Sequence, residues 1–240
     1  LAGEPRTALE RIERARDELG RSDREAVVRL EGTAATVHYL AGQYDAAHAL
    51  YVKARDRARR RGQQVDAAVC TFNLANVELL RGRAQWALRH YEQAREVFER
   101  HGAELAVLQC RYGIAATRLH RGEWPDAIAE LDRVAEAIRE RGDRRGAAAV
   151  DGEAADLLAS LGADPVAEIH ARRARAEYAA MGLRPEQARA ALVHARVLAR
   201  LGRAHDARRR LDEAAAIFAA MGRTDVVDQI ELVRAEIEVG

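Results

Sequence analysis

No stretch of the chain alternates apolar and polar residues with the period of two that a half-buried strand requires. Apolar positions recur instead at fixed places in a forty-residue unit. Ala35, Ala75, Ala115, Ala155, Ala195 and Ala235 follow this spacing, and so do Ala47, Ala87, Ala127, Ala167 and Ala207. Small residues at one helical register let neighbouring helices approach closely. A third series, Ala58, Phe98, Ile138, Tyr178 and Phe218, supplies mostly large apolar plugs. Tyr44 and Trp124 share one turn position.

Glycine divides the pattern. Gly42, Gly82, Gly122, Gly162 and Gly202 form one set, and Gly62, Gly102, Gly142, Gly182 and Gly222 another, offset by half a unit, so ten of the 17 glycines lie on one lattice. Glycine ends helices because it takes the left-handed conformation without a Cβ penalty. A stop every twenty residues leaves helices of roughly 16–18 residues, about 25 Å long. Pro125, Pro165 and Pro185 fall three residues after lattice glycines, and Pro5 two after Gly3, in first turns where a missing N–H costs nothing. Asp143 and Asp164 are expected as N-caps. The pattern predicts an all-α protein of about 12 helices. An orphan helix over about 5–19 precedes five helical hairpins, and an unpaired helix over about 225–239 follows them. Each hairpin buries its stripe only against its neighbours, so residues 1–240 read as a single solenoid without a linker.

Composition agrees: 52 alanines favour helix, and four prolines interrupt little. The 38 arginines against one lysine, Lys53, reflect coding bias in a GC-rich genome more than function. A net charge of +1 argues against a dedicated nucleic-acid or anionic-membrane surface. No apolar run reaches the length of about 18 residues that a membrane span needs. The chain opens without an apolar leader segment, and its two cysteines are too few for a disulfide framework, so the cytoplasm is the expected compartment. The array starts mid-hairpin and stops short of the next lattice glycine, so a longer protein is expected around it.

Small residue, seven positions, Gly, five positions, Ala, as in Ala75, Gly82 and Ala87, resembles the tetratricopeptide repeat. The forty-residue period is similar to the long subclass, found in bacterial repeat regions attached to regulators, ATPases or CHAT-type proteases. The aromatic usual early in the first helix is absent: Glu31, Thr71, Arg111, Asp151 and Ala191 stand there. The resemblance implies a right-handed α-solenoid of antiparallel pairs that presents its first helices on a concave face.

On that face lie the positions two before and one after the register alanine. These are Thr33 and Thr36, Asn73 and Asn76, Gly113 and Ala116, Glu153 and Asp156, and Val193 and Arg196. Each pair is three apart and shares a helical face. Asn73 and Asn76 are the chain's two asparagines. An amide both donates and accepts, so it can hold a peptide backbone whatever its sequence. The resemblance implies the same role. Tyr39, Phe72, Gln109, Tyr112 and Leu192 are expected near this strip as side-chain pockets. Glu153 and Asp156 form an acidic step, and Arg189, Arg196 and Arg200 a basic one, favouring a partner of complementary order. A chaperone-type carboxylate clamp is absent, because Gly32, Thr36, Gln109 and Gly113 stand where cations would be needed.

No chemistry-bearing motif appears. Eight histidines show no metal spacing, the glycines are helix stops and not phosphate loops, and no GxSxG occurs. His194 occupies the register of Leu74, which predicts a core residue. Cys70 and Cys110 lie one repeat apart, beyond disulfide reach, as reduced packing residues. The arginine runs 59–61, 172–173 and 208–210 fall on second helices as solvated faces. The expectation is a non-catalytic scaffold, without metal or cofactor, that binds a protein or peptide segment in its groove. The alternative is a ligand- or peptide-sensing domain that controls an attached transcription regulator, ATPase or protease. Self-association through the end helices is a third expected role. Nucleic acid and membrane are not expected partners.

Overall fold

The structure is a computed structural model, and it describes residues 3–19 and 24–239. Those residues form twelve α-helices and no strand. They divide into two compact units, Leu1–Arg121 and Gly122–Gly240. The first holds α1 (Gly3–Leu19), α2 (Arg24–Leu40), α3 (Tyr44–Arg60), α4 (Gln64–Leu80), α5 (Ala84–Arg100) and α6 (Glu104–His120). The second holds α7 (Trp124–Glu140), α8 (Arg144–Ser160), α9 (Asp164–Ala180), α10 (Arg184–Arg200), α11 (Ala204–Ala220) and α12 (Thr224–Val239). Within each unit a helix packs chiefly on its sequence neighbours, with lesser contact between alternate helices such as α2 and α4 or α8 and α10. This is the all-α solenoid type of packing.

All ten lattice glycines sit in the left-handed region, with φ between 66° and 82°. The turn they make closes two accounts at once. At Gly42 the glycine amide donates to the Tyr39 carbonyl (3.0 Å), and the following Gln43 amide reaches back to His38 (2.9 Å). The carbonyl that receives the second bond belongs to the plug residue in the other series: Ala103 donates to Phe98 (2.9 Å), Leu183 to Tyr178 (3.0 Å) and Arg223 to Phe218 (3.0 Å). These are Schellman closures, and they satisfy carbonyls that a helix end leaves orphaned. The donor residue is also the N-cap of the next helix, so ending one helix starts another.

Asp143 caps α8 as expected, its carboxylate accepting from the Gly146 amide at 2.8 Å. Asp164 does not cap. It is the first residue of α9, after the cap residue Ala163, and its carboxylate is gripped by Arg200 at 2.6 Å. Pro125, Pro165 and Pro185 occupy first turns. The side chain of Pro5 lies outside the described residues.

The alanine registers form the core. Ala35, Ala75, Ala115, Ala155 and Ala195 are buried, as are all five of the second series, and the plugs close the far end of each layer. Ala235 departs from the rule. It is exposed, and α12 packs chiefly on α11.

At the register of Glu31, Thr71, Arg111, Asp151 and Ala191, Ala191 is a buried core residue and the other four are polar. Asp151 is fully buried and accepts from His170 Nδ1 (2.8 Å) and Arg139 Nη2 (3.3 Å). Glu31 accepts from Arg57 at 2.6 Å, and Thr71 donates to the Ala67 carbonyl at 2.7 Å. Burying such groups costs several kcal/mol unless each finds a partner. His194 is buried, with Nε2 3.2 Å from Glu168, and burial holds its pKa below the usual histidine value.

Two glycine substitutions separate stop from filler. Gly82→Ala forces a side chain into positive φ and is expected to cost about 1 kcal/mol or more. Gly32 lies inside α2, and a Cβ there meets nothing within 4 Å, so Gly32→Ala is expected to gain up to about 1 kcal/mol. Urea denaturation followed by circular dichroism reads both signs.

Candidate functional site

In the first unit, hydroxyls from second helices hold polar groups on first helices. Thr36 donates its hydroxyl proton to the Gly32 carbonyl (3.1 Å) and lies 2.8 Å from the Tyr51 hydroxyl. A hydroxyl has one proton, so Tyr51 is the donor in that second bond. One repeat on, the Tyr91 hydroxyl donates to the Asn76 amide oxygen. Burial pushes both phenols up, so both stay protonated donors at neutral pH. The Tyr91 ring meets Phe72 edge-on, with centroids 5.5 Å apart, and lies over Gly113. A Cβ at Gly113 would stand 2.5 Å from the ring, so that glycine leaves room for Tyr91.

Asn73 and Thr36 line one pocket of about 410 Å³, with Arg29, Asp66, Val69 and Cys70. Thus Asn73 faces a pocket, whereas Asn76 is oriented by Tyr91. Tyr39 packs toward α3, its ring 6.1 Å from Tyr44, and belongs with the core around Ala35 and Tyr51. Tyr112 is half-buried and Gln109 exposed, and neither lines this pocket.

In the second unit Glu153, Asp156 and Arg189 line one pocket of about 230 Å³, floored by Ala171 and Tyr178. Burial raises the Asp156 pKa, an effect that the Arg196 guanidinium partly offsets. Burial raises the Tyr178 phenol too, with Glu186 and Glu153 adding to it. Arg200 does not join this strip: it pairs with Asp164 and donates to the Ala159 carbonyl. A larger cavity, about 650 Å³, lies elsewhere, along α7 and α9. It is crossed by ion pairs such as Arg173 with Asp132 (2.5 Å) and Arg144 with Glu177 (2.7 Å), which leave its charges mutually satisfied.

Sequence reasoning passed over Tyr51, Tyr91 and Gly152, and weighed Gly32 only against a carboxylate clamp. The available signal was the register: Tyr51 and Tyr91 are one repeat apart and face the two polar residues they hold.

Both cysteines are free and buried, and burial pushes their thiols up, Cys70 to about 11 and Cys110 to about 12. At pH 8 about one thiol in a thousand or fewer is then ionised. A disulfide reagent is expected to label neither in the folded chain and both in concentrated guanidinium. Folding holds these protons more tightly, so the associated stability is present at neutral pH and lost as pH climbs from the ordinary thiol range toward 11. Gly113→Ala is expected to displace Tyr91 and cost about 2 kcal/mol, read as a lower denaturation midpoint.

Residues 24–100 match the tetratricopeptide repeat family. The sequence matches no curated protein. Among solved structures, the chain is similar to BtubC from P. vanneervenii, at 19% identity and TM-score 0.67, covering 92% of this chain and 90% of that one. It is similar to aspartyl phosphate phosphatase F from Bacillus subtilis, at 16% identity and TM-score 0.73, covering 92% of this chain and 59% of that one. It is also similar to the Rap conjugation gene regulator of plasmid pLS20, solved in complex with a Phr peptide, at 15% identity and TM-score 0.67, covering 88% of this chain and 58% of that one. The chain thus spans less than two thirds of the latter two, and at these identities the likeness is one of fold. The family match spans α2 to α5, and the same helical period continues beyond it.

Proposed function

We propose that the chain is a non-catalytic scaffold that binds a protein or peptide segment along the exposed face of its first helices. The observation that carries this reading is the arrangement in the first unit: Asn73 beside an open pocket, with Thr36 and Asn76 each tied by a buried tyrosine. Side chains held in this way lose little freedom on binding, which favours capture of an extended backbone. Phe72 supports Tyr91 from the side, and Tyr39, Gln109 and Tyr112 flank the strip. In the second unit Glu153, Asp156, Arg189 and Arg196 contribute charge to the same role. The thiols are the opposite of activated nucleophiles, which supports a non-catalytic role. Similarity to a named phosphatase is at the level of fold.

A second reading has a specific support: a similar structure is a gene regulator bound to a peptide. In that reading the same groove senses a peptide and governs an attached effector. We place the protein in the cytoplasm, where its two free thiols stay reduced, and assign it neither nucleic-acid nor membrane partners. No described helix is long and apolar enough to cross a membrane. Self-association through end helices is a further proposed contact.

Selection of a random-peptide display library against the full chain tests the scaffold reading. Enriched peptides are expected to bind Asn73→Ala/Asn76→Ala about tenfold more weakly, as anisotropy titration reads. The single Asn73→Ala chain should match wild type in helicity and melting. Equal affinity for wild type and double variant sinks the groove reading.

A further inference from the structure

One register position separates the repeats sharply. Phe72, Tyr112 and Leu192 stand there in three repeats, and Gly32 and Gly152 in the other two. Neither glycine is required by its backbone or its neighbours. Both are helical, a Cβ at Gly32 meets nothing within 4 Å, and one at Gly152 meets only the Ala174 Cβ, at 3.9 Å. Inside a helix each costs up to about 1 kcal/mol relative to alanine. Each glycine opens a pocket between adjacent first helices. The wall residues of the first pocket, from Arg29 to Asn73, have counterparts 120 residues on in the second, from Ala149 to Val193.

The second pocket is opened again from below. Ala171 occupies the register of Tyr51, Tyr91, Leu131 and Leu211, so beside Tyr178 the floor has space that a large side chain fills in those repeats. Its volume of about 230 Å³ lies below the range of about 300–1,000 Å³ typical of free small-molecule sites, which fits a single side chain. Its lining carries three carboxylates, Glu153, Asp156 and Glu186, against one guanidinium, Arg189. Arg145 pairs with Glu186 from outside at 2.8 Å, and Arg196 acts on Asp156. Ala155, Ala190 and Val193 provide apolar wall.

We infer that the pocket at Gly152 is a subsite for an arginine or lysine side chain of a bound segment. Its methylenes lie on the apolar wall and its charged head meets the carboxylates. This deepens the groove reading and rests on it for the segment that delivers the side chain, but the subsite is testable alone.

The test is titration of isotope-labelled full chain with N-acetyl-argininamide, beside the neutral isostere N-acetyl-citrullinamide, followed through backbone amide resonances. Saturable shifts are expected at Gly152 and Val193 with the arginine probe, and about tenfold weaker binding of the citrulline probe. Gly152→Leu and Ala171→Leu install residues found at the same register in other repeats, and each is expected to abolish the response. Glu153→Gln/Asp156→Asn keeps the pocket's shape and should remove the preference for charge. No localised shift in wild type, equal response to both probes, or a response that survives both filling variants overturns the inference. Asn73→Ala/Asn76→Ala alters the other unit and should leave the arginine response intact, so failure of the peptide selection and failure of this subsite are read separately.

Discussion

Everything in this chain depends on a backbone turn that only glycine makes cheaply. At eight of the ten lattice glycines, all but Gly122 and Gly142, the left-handed conformation lets the next amide reach back to a carbonyl one turn inside the finished helix. That amide belongs to the N-cap of the following helix. The reversal is therefore stiff and repeats at one length, which keeps all later registers in phase. Of the nine N-caps with resolved geometry, only Asp143 uses a side chain. The Schellman bonds act on the other side of the turn, closing the carbonyl end of the preceding helix.

Fixed phase explains the economy of the core. Alanine at two registers lets the helices approach closely, and larger side chains such as Tyr51, Tyr91, Leu131 and Leu211 fill the space between them. It also explains how charged groups are tolerated inside. Asp151 is fully buried, and His170 and Arg139 meet it from fixed directions. A repeat lattice tolerates such groups locally, since each layer contacts only its neighbours.

The same lattice gives the exposed face its variety. Scaffold registers are nearly constant, and face registers differ from repeat to repeat. Tyrosines behind the face hold Thr36 and Asn76, and where the register behind carries Ala171 a pocket opens instead. The proposed recognition rests on which side chains are held still and where space is left, more than on any single reactive group.

The helices, their boundaries and the alanine core were legible in the sequence, because each rests on local physics: glycine's φ, helical period and the size of small residues. The candidate site was legible only in part. Spacing put Asn73 and Asn76 on one face, but tertiary contact decided that a tyrosine fifteen residues later holds one of them while the other faces a pocket. Asp164 carried the chemistry of a cap, yet Arg200, 36 residues away, claims its carboxylate. Gly32 and Gly152 looked like ordinary helix residues until the space beside them was seen. Sequence by itself determined what each repeat is. Contacts between residues distant along the chain decided which polar groups are engaged and where cavities open, because partnering and free volume are properties of neighbours in space.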